Sequence, residues 1–359
     1  MAKKRRDDKN PEFRPGAWLA GTGPDSDIAI CTRVRLARNL QGFPFSPRLD
    51  GDESERLYQF VVERLGRPGL PVQLQVVDLS PVDELERSML VERHLISREL
   101  ASCKRPSGVA VDDDENVAIM INEEDHLRAQ VFAPGLATEA VWRRAERLDD
   151  ALMQRLPMAW SEEFGFLTAC PTNTGTGLRL SVMMHLPGLV WSEEIDKATN
   201  VAQKIHLAVR GLYGEGSRAA GDFYQISNQV TLGRTESQLI DDLRALVPVI
   251  VGFERTVRDA LFADQRTALA DRVARSHGLL RTARSMATDG ALAHLSNLRL
   301  GMHLGLFDQG DLEVLNLLRV QVQQGHVQAL NQDPLRQEPL EASTRDQLRA
   351  GFLRRQLAR

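Results

Sequence analysis

Cysteine is scarce: Cys31, Cys103 and Cys170 are the three in 359 residues, and no CxxC pair occurs. So sparse and odd a set builds neither a disulfide framework nor a zinc site, and it fits free thiols in a reducing cytoplasm. Long hydrophobic runs are also missing. The longest, Ala245 to Phe253, counts nine residues with Gly and Pro included, against the ~20 that a membrane-spanning helix needs. The basic stretch Lys3-Lys4-Arg5-Arg6 runs on into Asp7, Asp8, Lys9 and Asn10 with no apolar segment behind it, so no secretory leader is read there. Neither sign of charge dominates, since 45 Lys+Arg stand against 49 Asp+Glu for a net charge of −4. Without a global positive field, neither nucleic acid nor an anionic membrane is an expected partner. No internal repeat and no low-complexity tract is evident beyond the N-terminal stretch.

What is present divides the chain. At roughly 150 residues per domain the length suggests about two domains. Residues 1–24, charged and rich in Gly and Pro, read as a flexible tail with one apolar cluster, Trp18 and Leu19, able to dock locally. Residues 25–256 alternate strand-like and helix-like patterns with frequent turn residues. Gly108–Val111 and Val117–Ile121 flank a polar turn as an antiparallel hairpin. Thr138 is placed to cap a helix through Leu156, and Ser192 to cap another through Ile205 and Val209. Arg179 to Leu186 and Phe223 to Leu232 alternate as strands. From residue 257 to 359 long Leu/Ala/Arg segments predict a helical second domain.

The chemistry lies in charged clusters. Arg33 and Arg35, two apart in a strand-like CTRVR, point to one face; alone they suit a solvated edge strand as well as a ligand. Arg128, Arg179 and Arg210 add to them, and arginine is the side chain for bidentate contact with phosphate oxygens. Glu123, Glu124 and Asp125 crowd one strand end, and Glu215 sits in a glycine-spaced loop. Such carboxylates fit a solvated turn, a divalent cation, or the grip on a cationic substrate group.

Four segments carry a resemblance. CTRVRLARNL (31–40), NEEDHLR (122–128), CPTNTGTGLRLSV (170–182) and RGLYGEG (210–216) resemble, in order and spacing, the signature segments of the phosphagen (guanidino) kinases. With only about thirty residues before the first motif, and a helical segment after the last, the layout is similar to the bacterial McsB-type branch that phosphorylates arginine side chains. RDxxRA at 345–350 looks like that branch's phosphoarginine-binding motif, although an ordinary amphipathic helix would also contain it.

The resemblance implies an α+β fold: a catalytic domain with a mainly antiparallel sheet flanked by helices, then an all-helical domain. It implies ATP and Mg²⁺, with no dedicated metal cage in the protein. Glu124 and Glu215 become the carboxylates that orient and deprotonate the guanidinium, and Cys170 the reactive cysteine, its alternative reading being a small buried hydrophobe. Nucleotide contacts would come from Cys31, Thr32, Arg33, Val34, Arg35, His94, Arg128, Arg179, Leu180, Ser181, Val182, Met183, Arg210, Gly211, Leu212, Tyr213, Gly214 and Glu215. Arg345, Asp346, Arg349 and Ala350 would bind phosphoarginine, with Ser343-Thr344 capping their helix. The implied partners are proteins with exposed arginines, an AAA+ unfoldase–protease, an activator and a second copy of the chain in a homodimer or larger oligomer. The implied setting is cytoplasmic stress response and protein quality control. Three departures stand out: Cys31 where these kinases usually have a small hydroxyl residue, Thr174 at a usually aliphatic position, and the extra KKRR stretch.

Overall fold

Alternation in AICTRVRLAR makes a ten-residue strand, β1 (Ala29–Arg38), and the molecule is organised around it. The computed structural model describes residues 16–211, 220–307, 311–331 and 340–358. The further strands are β2 (Gln75–Asp78), β3 (Gly108–Val111), β4 (Val117–Ile121), β5 (Leu127–Pro134), β6 (Trp160–Ser161), β7 (Gly165–Phe166), β8 (Leu178–His185), β9 (Leu207–Gly211) and β10 (Phe223–Asn228). Eight of them form one sheet in the order β2-β3-β4-β5-β1-β8-β10-β9, every neighbouring pair antiparallel. β6 and β7 pair separately as a small hairpin.

Helices cover the sheet and continue beyond it. They are α1 (Gly51–Leu65), α2 (Glu84–Glu92), α3 (Arg98–Ser102), α4 (Thr138–Met153), α5 (Pro187–Trp191), α6 (Ile195–Lys204), α7 (Glu236–Thr282), α8 (Thr288–His303), α9 (Leu312–Gln321), α10 (Gln324–Ala329) and α11 (Ala342–Gln356). A full capping box, with Thr235 and Gln238 reciprocally bonded, starts α7. Its first half packs Leu239, Leu243, Val247 and Ile250 against the core of the sheet. Its second half sends Val273 and Leu280 into a separate core with Leu295, Leu318 and Phe352. The boundary expected at 256/257 therefore falls inside one helix, which bends at Gln265.

Several local expectations differ. The tail expected through Pro24 ends earlier: Trp18 is fully buried and stacks on Phe132 at 5.2 Å, because an indole this large gains more from apolar burial than the segment loses in chain entropy. Residues 1–15 lie outside the described residues. Thr138 is the first residue inside α4, not its cap. The helix expected from Ser192 starts at Ile195 and stops at Lys204, since Glu193 and His206 adopt positive φ on either side. Val209 consequently lies on β9, and β10 ends at Asn228.

Candidate active site

Cross-strand register decides which side chains share a face. β1 pairs with β5 so that Arg35 stands opposite Gln130 and Ala37 opposite Arg128. It pairs with β8 so that Arg33 faces Ser181 and Arg35 faces Arg179. β10 sets Gln225 beside Met183 and Ser227 beside Ser181, and β9 sets Arg210 beside Gln225. Opposed residues project to the same side, so Arg33, Arg35, Arg128, Arg179 and Arg210 occupy one face of four strands. The guanidinium of Arg33 donates to Gln225 Oε1 at 2.7 Å and that of Arg179 to Ser227 Oγ at 3.3 Å. Burial pulls Arg33 down to about 10, with Arg128 and Arg179 adding to the fall, and the same causes depress Arg35 further. Both still carry their charge at neutral pH. Cations crowded on one surface favour a multiply charged anion.

The same register orients the other residues of the expected contact list. Val34, Leu180 and Val182 point the other way, into the core, so only their main chains can meet a nucleotide. The Thr32 hydroxyl is engaged elsewhere, donating to Gly135 O at 2.7 Å and accepting from Ala137 N at 3.0 Å. Cys31 and Met183 lie in a buried apolar cluster with Trp18, Phe132 and Phe223, and burial pushes the Cys31 thiol up to about 11. Leu212, Tyr213, Gly214 and Glu215 lie outside the described residues; Gly211 ends β9.

A cavity of about 940 Å³ opens on the arginine face, walled by Arg33, Arg35, Arg128, Gln130 and His94. Its far wall comes from the helical region, through Thr288, Asp289, Gln323 and Gln324. Arg179 and Arg210 continue the face outside the cavity lining. His94 holds a left-handed backbone, φ 61°, because Gln130 Nε2 donates to its carbonyl at 2.6 Å and to that of Leu95 at 3.1 Å. Burial, then Arg33, Arg319 and Arg35, hold the His94 imidazole well below its ordinary range, so it is neutral at pH 7.

The acidic turn adjoins this cavity. Arg128 Nη1 donates to Glu123 Oε1 at 2.6 Å; burial raises the Glu123 carboxyl, but Arg128 and hydrogen bonds from Ser97 and the Glu124 amide bring it below its ordinary value. Glu124 is exposed and shifts the other way, raised by desolvation and by the charges of Asp125 and Glu123. Asp125 is buried and ties loops together, accepting from Asn39 Nδ2 at 2.7 Å and from the Ala169 amide at 2.7 Å. That bond fixes the turn entering Cys170, and Asn173 Nδ2 reaches Glu124 at 3.3 Å and Asp125 at 3.4 Å. Glu124 and the Cys170 loop are thus brought together. The Cys170 thiol lies 3.0 Å from Thr172 Oγ1 and is half-buried.

Residues 57–257 match the family described as ATP:guanido phosphotransferase, C-terminal catalytic domain, and residues 266–359 match the C-terminal domain of protein-arginine kinase McsB. The chain is 43% identical over 344 residues to a protein-arginine kinase of Symbiobacterium thermophilum, covering 95% of this chain and 96% of that one. It is 44% identical over 313 residues to one of Halothermothrix orenii, covering 87% and 89%. The chain belongs to the protein-arginine kinase family. Among solved structures, lombricine kinase matches with a TM-score of 0.58 at 24% identity, over 68% of this chain and 70% of that one. The duplicated taurocyamine kinase of Schistosoma mansoni with transition-state analog components matches at 0.59 and 25%, over 71% and 39%. These likenesses establish the guanidino-kinase fold.

In this family member the RDxxRA segment lies on α11, but its cap is Glu341, with Ser343 and Thr344 inside the first turn. Arg349 does not present an open guanidinium. It is fully buried and donates to Val322 O at 2.6 Å, Met286 O at 2.8 Å and Asp346 Oδ1 at 2.6 Å. Burial lowers its pKa, with Arg345 adding to the fall. Arg345 donates to Leu340 O, and Ala350 is buried in the helical core.

The residues that hold this kinase's site in place leave little trace in the sequence. Asp125 and Asn173 stood inside the quoted motifs, yet a polar residue that bonds across 44 or 48 positions leaves no local signature. Arg38 is another: its guanidinium grips Asp149 at 2.6 Å and Thr176 O at 3.0 Å, joining β1 to α4 and to the loop entering β8.

Proposed function

We propose that this protein transfers the γ-phosphoryl group of ATP to a guanidinium nitrogen of arginine side chains in proteins. The observation that carries the reading is one sheet face bearing five arginines, opening on a cavity and linked by the Arg128–Glu123 ion pair to an exposed carboxylate, Glu124. Arg33, Arg35, Arg128, Arg179 and Arg210 would hold the phosphate oxygens and stabilise charge on them as the phosphoryl group moves. Mg²⁺, when bound with the nucleotide, supplies further charge neutralisation there.

A guanidinium has a pKa above about 12 and a delocalised lone pair, so it is a poor nucleophile near neutral pH. Glu124 aligns one of its nitrogens and takes the proton as the N–P bond forms and the bond from the γ-phosphorus to the β-phosphate oxygen breaks, releasing ADP. Its raised carboxyl makes it a stronger base than an ordinary surface glutamate. Glu215 is proposed as the second carboxylate, and Cys170 as the reactive cysteine beside the guanidinium; the support for Cys170 is the Asp125–Ala169 bond that fixes its loop beside Glu124. Arg345, Asp346 and Arg349 are proposed to recognise phosphoarginine. That assignment, with Ala350 completing the motif, rests on the family resemblance alone. We extend the reading to cytoplasmic stress response, with an AAA+ unfoldase–protease, an activator and a second copy as partners, on the family resemblance alone.

Incubation with ATP, Mg²⁺ and an unfolded arginine-rich protein, followed by site-resolved mass spectrometry at neutral pH, tests the reading. Phosphate on arginine side chains, lost in a folded Glu124→Gln variant, is the expected result. Conversion of free arginine with no protein phosphate would make the chain a small-molecule guanidino kinase. Phosphoarginine binding with no ATP turnover would make it an adaptor.

A further inference from the structure

Three consecutive residues leave α2 in three directions. His94 enters the cavity wall. Arg93 pairs with Glu115 on the turn between β3 and β4, its Nε donating to Glu115 Oε2 at 3.2 Å. Glu92 turns to the helical region instead. Its buried carboxylate accepts from the Gly325 amide at 2.6 Å, from the His326 amide at 2.9 Å and from His326 Nδ1 at 2.7 Å. The fit is close: a Cβ on Gly325 would stand 2.8 Å from Ser88 Oγ and 3.1 Å from Glu92 Oε2, so those side chains would have to shift. Gln323 and Gln324, the residues just before Gly325, are themselves part of the far wall of the cavity.

We infer that Glu92 and the 325–326 turn form a joint through which the helical region sets the nucleotide cavity, making Glu92 a positioning residue for ATP. Two physical effects combine. The carboxylate lines a cavity otherwise rich in arginine, where an uncommitted negative charge would repel a polyphosphate. Three donors from α10 take up that charge. The same bonds hold the C-terminal end of α2, and with it the strained His94 turn, at a fixed distance from β1 and β5. Glu92 acts through these elements and needs no contact with the reacting atoms. The inference rests on the reading of this cavity as the nucleotide site.

Calorimetric titration of ATP into the full chain, with steady-state kinetics, tests the joint through Gly325→Ala, Glu92→Ala and Glu92→Gln. Gly325→Ala and Glu92→Ala are expected to weaken ATP binding about tenfold, with the loss falling on KM for ATP more than on kcat. Glu92→Gln, which keeps one acceptor and removes the charge, is expected to fall between them and the parent. Hydrogen exchange on the unaltered chain needs no variant: amides of 324–327 are expected to slow together with those of 88–96 when ATP is added. Folded variants that bind ATP within twofold of the parent, or exchange at 324–327 that ignores ATP, would overturn the joint. An unaltered chain that takes up no ATP would overturn the nucleotide reading instead.

Discussion

Glu124 and Asp125 are neighbours in sequence with opposite environments. Glu124 is exposed, and desolvation with two adjacent carboxylates holds its proton more tightly than usual. A base must be ionised to work, so activity is present above this raised pKa and lost as the pH falls through it. The acid limb of kcat/KM is therefore expected above the ordinary glutamate value of about 4.3, and a pH–rate profile that stays flat down to that value would remove Glu124 from the role. Asp125 carries no such demand; it holds Asn39 and the Ala169 amide. Asp125→Ala leaves those donors without their acceptor, and on the order of tenfold loss in kcat is expected from a misplaced Cys170 loop. Circular dichroism should show the fold intact, and full activity would mean that the loop is positioned by other contacts.

At the scale of elements, the strands that carry arginines depend on the turns that aim them. β8 is entered through Gly177, which has φ of +62°, and a Cβ there would stand 2.5 Å from Arg38 Nη1 and 2.6 Å from Ala37 O. The site combines a left-handed backbone with a close approach, so alanine meets both strain and a clash. Gly177→Ala is expected to destabilise the protein by on the order of 2 kcal/mol or more and to weaken nucleotide binding by shifting Arg179. Thermal denaturation with a nucleotide titration checks both, and an unchanged Tm would show that the loop entering β8 relaxes around the added methyl group. β1 illustrates the complementary case. Its alternation alone places Arg33 and Arg35 on one face and Val34 and Leu36 on the other, with no demand on its turns.

For the whole molecule, several histidines are buried among cations. His94 and His185 are held well below their ordinary pKa by burial first and neighbouring arginines second, and His303 is lowered to about 4 by the same causes. In the unfolded chain each binds a proton below about 6.5. The unfolded state therefore takes up more protons than the folded one as the pH drops, and stability falls from about pH 6.5 toward the lowered folded values. A lower Tm at pH 5.5 than at pH 7.5 is expected, with a smaller difference in His185→Gln, whose parent ring lies 2.8 Å from Ser296 Oγ and stacks on Phe223. A Tm that does not change over this range would mean that the rings protonate in place. The long helix α7 runs through both cores, so the two regions are expected to lose stability together.

Much of this was written locally. Period-two spacing revealed β1, β8 and β10, two apolar runs around a polar turn revealed the β3–β4 hairpin, and the charged motifs marked Arg33, Arg35, Arg128, Arg179, Arg210 and Glu124, because strand faces and turns depend on residues a few positions apart. The rest was decided by contacts between distant positions. Register across β5, β1, β8, β10 and β9 collected the arginines on one face and turned Leu180 and Val182 away from it. Burial of Trp18 against Phe132 converted part of an expected tail into packed chain. Arg349 was drawn onto the carbonyls of Met286 and Val322, 63 and 27 residues away, and Glu92 onto the 325–326 turn. Such partners satisfy buried polar groups that the fold itself creates; before the chain closes on them they have no local counterpart to read.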